Sequence, residues 1–106
     1  MKYYGVACSF FFNYRIMDIT KELLLSKGFT TSFDEYSLKE IYPYYFSVEK
    51  EVDNFFITVH TLSNYYKRNF CVHIDNEDRD TIANVDIQTV EHFNKLMDIL
   101  DINYAI

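Results

Sequence analysis

The sequence predicts an α+β domain: an antiparallel meander sheet of four to five strands with two helices packed on one face. Three observations carry this. "YYFSVEKEVDNFFITVHTL" alternates apolar and polar residues on either side of Asp53-Asn54, a pair suited to a two-residue hairpin turn. Two further alternating runs, "NFCVHID" and "DTIANV", follow it. Two segments, residues 13–29 and 86–100, instead repeat their apolar residues at helical spacing. At 106 residues the chain has room for one domain, 1–106, with one core.

Taken in order, residues 3–12 fit a strand by alternation of Tyr4, Val6, Cys8, Phe10 and Phe12. Tyr3, Ala7, Phe10 and Tyr14 equally fit a helix face, and the β-rich composition favours the strand. "NYRIMDITKELLLSKGF" reads as a helix with Ile16, Ile19, Leu23 and Leu24 in its stripe, Lys27 in its last turn and Gly28 ending it. "FTTSF" fits a short strand. "SLKEIYP" fits one helical turn after Ser37, stopped by Pro43.

Pairing Val52 with Phe55 aligns Val48 with Val59 and Phe46 with Thr61, and sets Ser47, Glu49 and His60 on the opposite face. In the third strand Phe70, Val72 and Ile74 point inward, and Cys71, His73 and Asp75 outward. The final helix places Ile87, Val90, Phe93, Met97 and Leu100 on one stripe that Leu96 widens, with Asp86 as its N-cap and Glu91 in its first turns.

Composition narrows the function classes. Ten Tyr and ten Phe with no Trp exceed what one core buries with every hydroxyl satisfied, so several Tyr are expected at the surface as contact residues. The net charge is −6. From Asp75 onward eight acids face two bases, Arg79 and Lys95, while residues 1–74 are neutral. Such a C-terminal third repels phosphate backbones and favours basic protein surfaces, so autonomous nucleic-acid binding is not expected.

Cys8 and Cys71 are far apart and suit a reducing compartment, the cytoplasm, rather than a disulfide scaffold. "GVAC" resembles a lipoprotein cleavage box, but only seven residues precede Cys8, and neither export nor a membrane span is expected.

"VHIDNEDRD" holds four carboxylates and a histidine in nine residues. Read as a calcium loop from Asp75, it puts Arg79 at the fifth position and Asp80 where glycine is needed, so it fails. The simpler reading is a turn from Asn76 to Arg79 between the third and fourth strands, rich in the Asx side chains that turns favour. Five polar residues in an exposed turn lack the contrasting environments that acid–base catalysis needs. The chain also shows no glycine-rich phosphate loop and no nucleophile–base signature.

His60, Cys71 and His73 fall on one sheet face if His60 pairs with Cys71, and such a set would suit zinc. No fourth ligand is evident, so no metal or cofactor is expected. His92 on the last helix reads as a partly exposed helix residue. "YYKRNF" is the one basic-aromatic patch. Tyr65, Tyr66, Lys67 and Arg68 either anchor a partner or line a hairpin loop. With Asp75, Glu77, Asp78 and Asp80 they form the expected partner-binding set.

"FCVHIDNEDRDTIANVDIQTVEHFNKLMDIL" resembles small proteins from phages and mobile elements of Bacteroidetes. The matching residues are Val72, His73, Ile74, Asp75, Asn76, Glu77, Asp78, Thr81, Ile82, Val90, Phe93 and Leu96. Ala83 stands where that family has Gly. The resemblance covers the last third of the chain and brings no catalytic residues. Small acidic domains from such elements often inhibit host defence. It therefore implies a non-enzymatic inhibitor of a defence nuclease, anti-CRISPR-like, with an RNA-guided nuclease or its guide-bound complex as partner. An RNA-targeting type VI effector is the example. The alternative expectation is a self-associating structural or regulatory domain that dimerises through an exposed sheet edge.

Overall fold

The structure, a computed structural model, describes residues 17–38, 40–41, 45–61 and 70–106. The described elements are α1 (Lys21–Ser26), β1 (Thr30–Thr31), α2 (Phe33–Leu38), β2 (Ser47–Val52), β3 (Phe55–Thr61), β4 (Phe70–Asp75), β5 (Thr81–Ile87) and α3 (Val90–Ile99). The strands form one sheet in the order β1-β2-β3-β4-β5, with every neighbouring pair antiparallel. The α+β class and the meander are as the alternation predicts. The expected strand at 3–12 lies outside the described residues, and the fifth strand of the sheet is Thr30–Thr31.

The hairpin chemistry is local. Asp53 and Asn54 sit at φ +49° and +70°, the left-handed pair that matches strand twist in a two-residue turn. Val52 consequently faces Phe55 and Val48 faces Val59. The next turn is just as local. Asn76 Oδ1 accepts from the N–H groups of Asp78 and Asp80, both at 2.9 Å. Asn76 O accepts from Arg79 N at 2.9 Å, with Arg79 at φ +68°.

Alternation sends Val48, Ile57, Val59, Val72 and Ile74 to one face, where each is fully buried. Leu24 of α1 and Phe93 and Met97 of α3 join them in a single apolar cluster. Burying side chains of this size contributes about 1.5–3 kcal/mol each. Among the described residues no helix is long and apolar enough to cross a membrane.

Three helix boundaries depart from the periodicity. The first described helix starts at Lys21, and the expected run is broken before it because Met17–Ile19 are extended: Asp18 bridges Thr89, and Ile19 N donates to Gln88 O at 3.2 Å. Ile19 is still buried, but from an extended segment. Thr20 is the cap, its hydroxyl accepting from Leu23 N at 3.1 Å. Lys27 is the C-cap, and Gly28 follows at φ +95°.

The second departure is Asp86, which is a strand residue and not the last helix's N-cap. Ile87 pairs with Phe70, so the ladder runs on and the helix starts later. Thr89 caps it, accepting from His92 N at 3.1 Å. The third is α2: the helical turn expected after Ser37 instead spans Phe33–Leu38, with Asp34 and Glu35 in its first turn.

Candidate functional site

Where the core face is apolar, the opposite sheet face is polar, and pairing sorts it into rows. Glu49, Thr58, His73 and Asn84 stand side by side across β2 to β5. The next row holds Glu51, Phe56, Asp75 and Thr81, and a third holds Ser47, His60, Cys71 and Asp86. Glu49, Glu51, Phe56, Thr58, Asp75 and Arg79 line a concavity of about 380 Å³. The guanidinium of Arg79 lies 4.0 Å from the centre of the Phe56 ring, a contact worth about 0.5–1 kcal/mol at an exposed position.

Of the expected contact residues, Asp75 ends β4 half-buried, and Glu77, Asp78 and Asp80 are exposed on the turn beside it. Tyr65, Tyr66, Lys67 and Arg68 lie outside the described residues. Glu49 and Glu51 were not in the expected set, although they share Asp75's concavity. The hairpin parity placed Glu49 on this face, but joining it to Asp75 needs two successive strand registers. Glu49, Glu51, Glu77, Asp78, Asp80 and Asp86 form no ion pair among the described residues.

His73, Asp75 and Thr81 are the residue types of a hydrolytic relay, and they touch. His73 Nε2 lies 2.9 Å from Asp75 Oδ1 and 3.3 Å from Thr81 Oγ1, and that hydroxyl donates to the same Oδ1 at 3.0 Å. A relay needs the carboxylate on one ring nitrogen and the nucleophile on the other. Here both meet Nε2, and the hydroxyl proton already points at the carboxylate. The cluster ties β4 to β5 across the register shift at Ile74/Asp75.

His60 does pair with Cys71, with His73 two residues along. The three donors turn to separate partners. His60 Nδ1 lies 3.2 Å from Thr61 O, Cys71 Sγ donates to Asn84 Oδ1 at 2.8 Å, and His73 Nε2 meets Asp75. Among the described residues no group of three or more His, Cys, Asp or Glu is placed to hold a metal ion.

Cys71 stands on the outward face, as its parity predicts, and is buried there. Tyr45 stands at the same end of this face, its ring 6.3 Å from that of His60. Burial pushes the Cys71 thiol above its ordinary value of 9.0, and the Asp86 carboxylate adds to this. Burial likewise raises Tyr45 and Tyr104 above 10.0; for Tyr45 a hydrogen bond with Ser47 opposes the rise, while Asp34, Glu35 and Cys71 reinforce it.

All three groups are neutral when protonated, so the fold holds more protons than the unfolded chain at alkaline pH. Their contribution is therefore full below pH 9 and is lost as pH rises through the raised values. Urea midpoints are expected to be flat from pH 7 to about 8.5 and to fall above about 9. Cys71 is expected to react with a disulfide reagent far more slowly in folded than in urea-unfolded protein. Equal rates would place the thiol in solvent.

No family model, no curated protein and no solved structure matches this chain.

Proposed function

We propose that this chain is a non-enzymatic binding protein that occupies a basic surface on another protein, as an inhibitor of a host defence nuclease encoded by a phage or mobile element. The observation that carries the binding surface is its charge layout. Glu49, Glu51 and Asp75 share one concavity, and the exposed Glu77, Asp78 and Asp80 continue it along the adjoining turn. Two bases line the same concavity, Lys50 and Arg79, and Arg79 lies over Phe56.

A rigid sheet carrying carboxylates at strand spacing presents negative charge much as a phosphate backbone does, and so suits a nucleic-acid channel lined with Lys and Arg. The nuclease assignment rests on the resemblance of residues 72–96 to phage and mobile-element proteins. An RNA-guided nuclease of the RNA-targeting type is the partner to test first. Tyr65, Tyr66, Lys67 and Arg68 would supply further aromatic and basic anchors.

The test is binding to the purified nuclease, with and without guide RNA, and RNA cleavage in the presence of the chain. Reversing Glu77, Asp78 and Asp80 together to Lys is expected to weaken binding by about tenfold or more, chiefly through a slower on-rate, and to flatten its salt dependence. Glu49→Lys with Glu51→Lys should act in the same direction. A complex that ignores both sets of reversals would end the acidic-face assignment, and unhindered cleavage at saturating protein would end the inhibitor assignment.

A further inference from the structure

Phe56 is an aromatic residue on the polar face of the sheet. It stands directly opposite Glu51 on β2 and Asp75 on β4. Its neighbours along β3, Phe55 and Ile57, turn to the other face and pack in the apolar cluster. Phe56 is not part of that cluster, and among the described residues its ring meets no other ring. Apolar packing therefore does not account for a phenyl ring at this position.

The group that the ring does touch is a cation. The guanidinium carbon of Arg79 stands 4.0 Å from the ring centre, well inside the roughly 6 Å over which a ring quadrupole attracts a guanidinium. Carboxylates stand on both sides. Cross-strand partners hold their Cβ atoms about 4.5–5.5 Å apart, so Glu51 and Asp75 flank the ring, and Glu49 lies on the diagonal. A ring between acids suits a guanidinium that lies flat on the ring and turns its N–H edge to a carboxylate.

Arg79 covers the ring without using the acids. It forms no ion pair with Glu49, Glu51 or Asp75. Its backbone is fixed in the turn, where Arg79 N donates to Asn76 O at 2.9 Å and φ is +68°. The carboxylates of Glu49 and Glu51 make no hydrogen bond or ion pair among the described residues. Asp75 Oδ2 is open as well, since His73 and Thr81 both meet Oδ1.

We infer that the Phe56 ring is the seat for an arginine side chain of the partner, and that Arg79 is a resident stand-in displaced on docking. The inference deepens the basic-surface reading above and rests on it. An incoming guanidinium is not tied to the turn, so it can stack on the ring and donate to Glu51 and Asp75 Oδ2 together. Lysine, a compact and strongly hydrated point charge, gains less on the ring.

Arg79 is exposed, so its hold is weak. An exposed contact of this kind favours the covered ring by a ratio of about two to five, which leaves the ring open about a sixth to a third of the time. The apparent affinity of an incoming arginine is reduced by that fraction. A lone cation meets this threshold in full. A surface bearing several bases also gains from Glu77, Asp78 and Asp80 on the adjoining turn, so Arg79 selects for the extended basic partner.

The test is NMR titration of the full chain at low salt with a blocked Gly-Arg-Gly peptide, compared with Gly-Lys-Gly. Shifts are expected at the Phe56 ring and at the amides of Glu51, Thr58 and Asp75, with the arginine peptide bound more tightly. Arg79→Ala is expected to tighten its binding about three- to sixfold, the reciprocal of the open fraction. Lys50→Gln removes a charge from the same concavity without uncovering the ring, and should tighten binding by less than about twofold. Phe56→Leu keeps an apolar side chain but loses the quadrupole, and should abolish the shifts with the circular dichroism spectrum unchanged.

Unchanged or weaker binding by Arg79→Ala would make Arg79 a contact and overturn the inference. So would an equal gain from Lys50→Gln, equal binding of the two peptides, or undiminished binding by Phe56→Leu. The nuclease reading fails separately. The expected peptide behaviour without a nuclease complex would end that reading alone, and a nuclease complex indifferent to Phe56→Leu would end this inference alone.

Discussion

Phe93→Ala is expected to destabilise the fold by about 3–5 kcal/mol, the range for removing a fully buried aromatic ring. Phe93 is fully buried in the centre of the apolar cluster. Its ring centre lies 6.3 Å from that of Tyr104 in an edge-on contact. The loss has two parts, the transfer of the ring itself and the cavity that sheet and helix cannot close. A domain of this size typically holds about 5–15 kcal/mol in total, so the variant should sit near the edge of folding at room temperature. Urea unfolding measures the effect, with a lower midpoint at unchanged slope. Ile99→Ala, on the same helix but 72% exposed, is the control and should move stability by less than about 0.5 kcal/mol. Similar losses at both positions would mean that α3 does not pack through Phe93.

The second large effect is expected at Glu35, which is 3% exposed although charged. One carboxylate oxygen meets Lys21 Nζ at 2.6 Å and the other accepts from Ser47 N at 2.9 Å. Glu35 thus joins α1, α2 and the first residue of β2. Ser47 is 1% exposed, so its N–H cannot turn to water when the acceptor is removed. Glu35→Ala is expected to cost about 2–4 kcal/mol, from an unsatisfied buried donor and a broken, largely buried ion pair.

Lys21 keeps 24% of its side chain in solvent and can rehydrate, which keeps the loss below that of a fully enclosed pair. Glu35→Gln retains an acceptor for Ser47 N and should cost at least about 1 kcal/mol less than the alanine variant. Thermal or urea unfolding of both variants decides this. Equal losses would show that the charge on Lys21, not the backbone N–H, sets the requirement.

Glu35 also shows where a one-dimensional pattern stops. A glutamate near the start of a helix reads as a solvent-facing, dipole-compatible residue. Its burial depends on Lys21, fourteen positions earlier, and on Ser47, twelve later. The capping of α3 has the same cause. Asp86 and Thr89 are both competent N-caps, and the choice fell to Thr89 because pairing of Phe70 with Ile87 kept Asp86 in the ladder. Likewise the bridge between Asp18 and Thr89 holds Met17–Ile19 extended within a run that has good helical periodicity.

The features legible from the sequence are those whose causes lie within a few residues. Asp53-Asn54 tolerates the left-handed backbone its turn requires, and alternation on either side leaves one register that buries Val48, Ile57 and Val59 together. Asn76 closes the next turn with its own side chain, so "VHIDNEDRD" resolves into a strand end and a turn. The stripe of Phe93 and Met97 follows from helical spacing alone. Tertiary structure decided which carboxylates act together. Glu49, Glu51 and Asp75 are more than twenty positions apart at their widest, and they share a concavity because two successive ladders set their rows. Local chemistry determines where a strand turns; only backbone pairing between strands determines which side chains meet across the sheet.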